Sequence, residues 1–303
     1  MTDDEAGTGQ TPLRWKIGDV TITKIVESQP VIDLPHLFPT ASVEELLALP
    51  WLQPHFVTPD GRAVISIHAL VVETPAKRII VDTCVGNDRN RGASEHFSNL
   101  QTSFLRDLEG AGFARENFDT VLCTHLHVDH VGWNTMQVEG NWVPTFPKAR
   151  YLFNRTEFEY WSAPSNVSTA NGFDETQQLA FSDSVKPVFD AGLVDLVEGT
   201  HAVCDEVTLV PTIGHSPGHV SVRISSRGEN ALITGDITHH PSQLAHPEWG
   251  SSHVDFDYEQ AMRTRARVFS DVADRPVLVI GTHWAGVTAG RVKRDGEAFR
   301  LDW

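Results

Sequence analysis

The feature that most constrains this chain is a burst of metal-binding chemistry at the end of a short apolar stretch. Residues 119–124 (DTVLCT) read as a buried strand, and His125, His127, Asp129 and His130 follow at once, four metal-competent side chains within six residues. In extended backbone, residues two apart project to the same side. His125 and His127 therefore point at one ion, while Asp129 and His130 reach a second. Neutral imidazole and carboxylate are ligands that zinc, iron(II) and manganese accept. A lone histidine is commonly a surface residue or a satisfied core group, and histidine runs also bind metal adventitiously. A cluster released by an apolar strand in mid-chain argues against both readings.

Three more apolar stretches end the same way. The run TIGHSPGH, carrying His215 and His219, follows a strand at 207–211. Asp236 follows Thr234-Gly235 after a strand at 231–233, and His283 lies in Gly281-Thr282-His283-Trp284 after a strand at 277–280. Glycine permits the tight turns that bring such side chains together. Each of these signals is common in loops when taken singly; four strand ends that each deliver a His or Asp are not.

The rest of the chain supplies a scaffold of the same kind. Alternating apolar residues predict a hairpin over 15–26 turning at Gly18-Asp19, strands at 63–72, 78–81, 150–153, 193–197 and 220–224, and a terminal hairpin over 287–300. Helices are predicted over 100–108 (stopped by Gly110 and Gly112), 156–161, 174–190 and 258–272, with a loop and hairpin over 132–148. Residues 29–60 are Pro-rich, with a short helix behind a Ser42/Glu45 capping box. The pattern suits two groups of strands packed as sheets with helices outside. We find no repeat, linker or domain boundary, so one domain over 1–303 with a disordered tail at 1–12 is expected.

Composition narrows the partners. A net charge of −16 argues against a nucleic-acid binder or docking to anionic membranes. Cys84, Cys123 and Cys204 are odd in number, widely spaced and form no CxxC pair, which reads as reduced, mostly buried thiols. The acidic, polar start has no signal-peptide pattern, and no apolar run reaches membrane-spanning length, so a cytoplasmic location is expected.

With VDTC around Asp82, the HLHVDH cluster at 125–130, His215, Asp236 and His283, the chain resembles the metallo-β-lactamase superfamily over roughly residues 63–285. The resemblance implies an α/β fold, a four-layer αββα sandwich with metals at one edge between the sheets. It implies that His125, His127 and His215 bind a first metal, that Asp129, His130 and His283 bind a second, and that Asp236 bridges both. Asp82 would orient ligands through hydrogen bonds, although a simple strand-end turn residue fits its position equally well. Thr124 and His219 are expected to support the ligands, since only His215 matches the family's ligand position. Of the loop histidines, His246 reads as solvent-exposed, and at least one of His239, His240 and His253 is expected to line the pocket. Trp133, Trp249 and Trp284 sit beside ligand-bearing segments, where an aromatic ring stacks on substrate or packs in the core. Trp133, His253 and Trp284 are the pocket candidates.

Two divalent ions a few ångströms apart lower the pKa of a shared water and polarise a carbonyl or phosphoryl oxygen. Asp129 and Asp236 are then the catalytic carboxylates, and a nitrogen- and oxygen-rich set without cysteine suits zinc first, then manganese, iron or cobalt. VDTCVGNDRNR, LCTHLHVDHVGWNT and WVPTFPKARYLF look more like the branch holding N-acyl homoserine lactonases, methyl parathion hydrolase-like esterases and hydrolytic dehalogenases than like glyoxalases. Hydrolysis of a small-molecule ester or lactone ranks first, phosphotriester hydrolysis and dehalogenation next. Outside hydrolysis stand a mononuclear-iron oxidoreductase resembling the persulfide dioxygenases, and a metal-binding module without catalysis. Residues 29–60 and 237–257 are expected to shape the pocket, the first serving alternatively as a dimer arm; a homodimer is the expected assembly.

Overall fold

The computed structural model describes residues 12–92, 94–163, 172–251 and 254–303. The expected tail, apart from Pro12, and the pocket candidate His253 lie outside them.

The strands are, in chain order, β1 (Arg14–Ile17), β2 (Val20–Ser28), β3 (Val31–Ile32), β4 (Ala63–Val64), β5 (Ile67–Glu73), β6 (Arg78–Val81), β7 (Thr120–Leu122), β8 (Thr135–Val138), β9 (Asn141–Pro144), β10 (Arg150–Asn154), β11 (Val194–Val197), β12 (Val207–Pro211), β13 (Val220–Ser226), β14 (Glu229–Ile233), β15 (Val277–Ile280), β16 (Ala289–Asp295) and β17 (Ala298–Asp302). One sheet has the order β1-β2-β5-β6-β7-β10-β11 and the other β12-β13-β14-β15-β16-β17.

Side-chain alternation sorts the apolar residues into layers. Leu70 and Val72 of β5, Ile79 and Val81 of β6 and Leu122 of β7 pack between the sheets against Val220, Val222, Ile224 and Ile233. Their neighbours Val71, Ile80 and Val121 face outward, under helical residues such as Phe104, Leu108, Val185 and Val188. The outer face of the second sheet, through Leu232 and Val279, is covered by Val268, Phe269 and Val272 of the helix Tyr258–Val272 and by Leu46, Leu52 and Phe56. The order is helix, sheet, sheet, helix, the expected αββα sandwich. Burying each such aliphatic or aromatic side chain is worth about 1.5–3 kcal/mol, so the layering follows from the sequence pattern.

Strand direction places the site. β6, β7 and β10 run parallel, and so do β14 and β15. β12 is antiparallel to β13, which is antiparallel to β14, so β12 and β14 run the same way. Within each sheet the carboxyl ends that carry the ligand candidates therefore open at a common edge.

Three elements differ from the sequence reading, each for a local reason. The strand expected over 63–72 breaks into β4 and β5, and the break gives its backbone to the site: Ser66 N donates to His283 O at 2.9 Å. The helix expected from 100 starts at Phe104, because Thr102 is held on the Asn87 side chain instead, its carbonyl accepting from Asn87 Nδ2 at 2.9 Å and its N–H donating to Oδ1 at 2.8 Å. The long helix runs from Gly172 to Asp190 but carries a π turn at Phe181–Val185. That turn sets Asp183 against two fully buried arginines, 2.9 Å from Arg89 Nη1 and 2.6 Å from Arg91 Nη1. Residues 29–60 divide in function: 29–37 reach the cavity described below, while the short helix Val43–Leu47, capped by Ser42 Oγ at 3.2 Å from Glu45 N, belongs to the outer layer. No helix of the described residues is long and apolar enough to cross a membrane. Cys84 and Cys123 are buried, Cys204 is half-buried, and none is disulfide-bonded.

Candidate active site

The turns after β7, β12, β14 and β15 bring together all seven side chains that the sequence nominates. His125, His127 and His215 form one group and Asp129, His130 and His283 another, the candidate ligand atoms of each group lying within 4.8 Å of one another. Asp236 stands between them: its Oδ2 is 3.1 Å from His283 Nε2, 3.2 Å from His130 Nε2, 3.6 Å from His215 Nε2 and 3.9 Å from His125 Nε2. All but Asp129 are buried, and Asp129 is the one whose side chain, 18% exposed, opens toward the cavity.

Outer partners fix the tautomer of four imidazoles. A carboxylate or carbonyl oxygen only accepts, so His130 Nδ1–H donates to Asp82 Oδ2 (3.0 Å), His215 Nδ1–H to Asp255 Oδ1 (2.8 Å) and His283 Nδ1–H to Ser66 O (3.1 Å). Thr124 gives its hydroxyl proton to Asp82 Oδ2 at 2.9 Å, which leaves its oxygen to accept from His125 Nδ1–H at 3.1 Å. In each case the Nε2 lone pair is turned inward. Asp82 achieves this from a left-handed backbone at φ +57°, a conformation Asp tolerates better than most residues. Thr124 N donates to its other oxygen at 2.8 Å.

A cation fits what results. His127 Nδ1 faces His215 Nε2 at 2.9 Å, and His130 Nε2 faces His283 Nε2 at 3.2 Å. Lone pairs held that close repel unless a proton or a metal lies between them. His125 Nε2 and Asp236 Oδ1 are buried with no hydrogen-bond partner among the described residues, an arrangement that is costly unless something else binds them. Burial holds His125, His127 and His215 well below the usual imidazole range, hence neutral and able to ligate. Burial pushes His130 the same way, but the carboxylates of Asp236, Asp129 and Asp82 outweigh it and raise its pKa. The site attracts positive charge.

His219 does not join the groups. Its Nδ1 lies 2.9 Å from Thr212 Oγ1 and 3.1 Å from Thr212 O, and its Nε2 accepts from Asp236 N at 2.8 Å. Burial lowers its pKa to about 4, so it is neutral and supports the turn that presents Asp236. Gly235 makes this contact possible: its φ is +56°, and a Cβ there would meet His219 Nε2 at 2.5 Å.

Above the cluster opens a cavity of about 1100 Å³, with His127, Asp129, His215, Asp236, His239 and His283 at its base. Its walls include Val31, Ile32, Leu37, Ile67, Phe97 and Phe173. Among the described residues the only Lys or Arg on its lining is Arg62, which is engaged by Asp60 at 2.9 Å.

Two pocket candidates are corrected. Trp133 is 6% exposed, donates Nε1–H to Glu27 Oε1 at 2.7 Å and stacks on Phe104, while Trp284 is fully buried in the outer core; neither lines the cavity. Both follow ligand residues in sequence, but a large apolar ring at a turn between packed layers stabilises more by burial than by facing solvent. Trp249 also packs in that core, stacked on the partly exposed His246. His240 is buried and holds Phe56 O (2.8 Å) and Ser242 Oγ (2.8 Å). His239 is the loop histidine that reaches the cavity, with Nε2 3.3 Å from Asp236 Oδ2 and Nδ1 without a partner among the described residues. Asp255, which orients His215, was missed altogether in the sequence; a lone acidic residue in a long loop carries no signal of its own.

Two packed sheets with helices outside and a His/Asp nest where their strand ends meet define a candidate metal centre on an αββα scaffold. The profile of the metallo-β-lactamase superfamily matches residues 62–283, and the chain belongs to that superfamily. Among solved structures it is similar to the hydrolase AbOPH of the β-lactamase superfamily, at 22% identity over 97% of each chain and a TM-score of 0.80. It is also similar to AidC, a dizinc quorum-quenching lactonase in complex with an acyl-homoserine product (21%, 96% of each chain, TM-score 0.75). A probable metal-dependent hydrolase from Staphylococcus aureus matches at 20% over 95% of this chain and 99% of its own, with a TM-score of 0.74. No curated protein matches the chain. At these identities the structural likeness speaks for the fold.

Proposed function

We propose that the chain is a dinuclear hydrolase, zinc being the first candidate metal, that opens an uncharged small-molecule ester or lactone bearing an apolar group. The observation that carries this reading is the pair of ligand groups around one central carboxylate, at the floor of a cavity with apolar side chains on its walls. His125, His127 and His215 would hold one ion, Asp129, His130 and His283 the other, and Asp236 both. Bound there, such ions would supply a water of lowered pKa and would polarise a substrate carbonyl. Asp129, the ligand candidate most open to the cavity, orients the attacking water and takes its proton. His239 lines the cavity with its Nε2 3.3 Å from Asp236 Oδ2 and is placed to hydrogen-bond the oxygen that gains charge. The apolar side chains of the walls hold the acyl or alkyl arm, and among the described lining residues no Lys or Arg stands without a carboxylate partner, which favours a substrate without a carboxylate or phosphate monoester. The likeness to a dizinc lactonase supports the lactone branch of the reading.

Metal content by mass spectrometry, run beside a panel of lactones, aryl esters, thioesters and organophosphates, tests this. About two zinc or manganese ions per chain with metal-dependent ester or lactone cleavage is the expected result. A single iron without hydrolysis would instead indicate a dioxygenase, in which Asp129 is not a ligand.

A further inference from the structure

The helix Arg155–Ser162 touches none of the cavity, yet it sends one carboxylate into both loops that carry the first ligand group. Glu157 is fully buried. Its Oε1 accepts from Gly218 N at 2.7 Å, and its Oε2 accepts from Leu126 N at 3.3 Å and Trp161 Nε1 at 3.0 Å. Leu126 lies between His125 and His127, and Gly218 lies three residues after His215 and one before His219. The two loops are far apart in sequence and leave different sheets, so their separation at the site depends on what joins them. We infer that Glu157 is a positioning residue that sets the distance between the His125/His127 loop and the His215 loop, and so the affinity of the first metal position. This inference rests on reading those three histidines as one metal's ligands.

Neighbouring contacts show that the clamp is built for close fit. Gly218 packs so tightly on the start of the helix that a Cβ would meet Asn154 Oδ1 at 2.5 Å and Glu157 N at 2.9 Å. Asn154 is itself fixed as the helix cap, accepting from Thr156 N at 2.8 Å. Gln177 completes the hold on the first loop, accepting from Val128 N at 2.7 Å and donating to Leu126 O at 3.1 Å. Both backbone groups of Leu126 are thus taken by side chains from helices, and the peptide between the two histidines has no freedom to turn. A carboxylate suits the task because it offers two oxygens that only accept, whereas an amide turns a donor toward one of the N–H groups.

The test is a zinc titration of metal-free, full-length protein against a chromophoric chelator, for wild type, Glu157→Gln and Gly218→Ala, with melting of the metal-free forms alongside. Glu157→Gln is expected to weaken one zinc equivalent about 10–100-fold, the range typical of residues that orient ligands, and to leave the other within a few-fold. Gly218→Ala displaces the loop with Glu157 intact, is expected to weaken the same equivalent, and carries the test if the glutamine variant does not fold. Wild-type affinity at both equivalents, or an equal loss at both with a lowered melting temperature, would overturn the inference, because a purely structural brace does not distinguish the two positions. The number of equivalents in wild type judges the dinuclear reading separately, and no substrate enters the measurement.

Discussion

The two ligand groups meet at one carboxylate but are held by different means. His130, in the second group, hydrogen-bonds Asp82 directly, and His283 is held by a backbone carbonyl, Ser66 O, in the break between β4 and β5. Those supports belong to the sheet edge itself. The first group leans outward: His215 on Asp255 from the loop before the helix Tyr258–Val272, and the two loops on Glu157 from a helix of the outer layer. Asp82 also touches the first group, through Thr124 to His125. The second group is thus part of the scaffold, whereas the first is assembled by loops and helices around it. That difference predicts which perturbations act on one position alone.

The largest effect belongs to the residue the groups share. Asp236→Ala removes the carboxylate that stands between them, so metal content should fall at both positions and ester or lactone turnover by about a thousandfold or more, with the fold retained. Near-native turnover in that variant would mean that the two groups do not act as one centre. Next come the orienting carboxylates. Asp255→Asn should weaken a single equivalent about 10–100-fold, while Asp82→Asn should weaken the second position by a similar factor and the first by less, through Thr124. Asparagine tolerates the left-handed backbone at position 82, so the change tests the hydrogen bonds rather than the turn. If the two variants gave the same pattern in a chelator competition, the asymmetry between the groups would be wrong.

How much of this was legible in the sequence follows the same division. The ligand candidates could be read because strand-to-turn chemistry is local: an apolar run, then a His or Asp, at each of four strand ends. The layering could be read because period-two alternation in β5, β6 and β7 assigns each residue to one face. What could not be read depends on contacts between distant segments. Nothing near Glu157 or Asp255 in the chain marks the residues 31 and 40 positions away that they hold. Trp133 and Trp284 looked like pocket walls because they follow ligands, but neighbours in sequence diverge at a turn, and their rings found the core. His239 and His240 are adjacent with opposite fates: one ring reaches Asp236 and the cavity, the other ties Phe56 to the loop. Composition gives no hint of which is which.

His240 offers the smallest but most selective perturbation. It holds the start of the loop that later supplies Asp255, and its ring nitrogens face Phe56 O and Ser242 Oγ rather than a ligand candidate. Burial lowers its pKa from 6.5 to about 4. Between those values the unfolded chain binds a proton that the folded loop refuses, so this residue's contribution to stability is intact above about pH 6.5 and is lost as pH falls toward 4. The full shift corresponds to about 3 kcal/mol, an upper bound if the loop opens locally before the protein unfolds. Melting of metal-free wild type and His240→Gln across this pH range should show the variant less stable at pH 7 and the gap closing on acidification. Zinc affinity measured near pH 7 should show the same variant weakening the equivalent that depends on Asp255 and sparing the other. A gap that stays constant with pH would mean that His240 keeps its proton balance on unfolding. Equal weakening of both equivalents would mean that the loop supports the whole centre, and that the first group is no more dependent on the outer layer than the second.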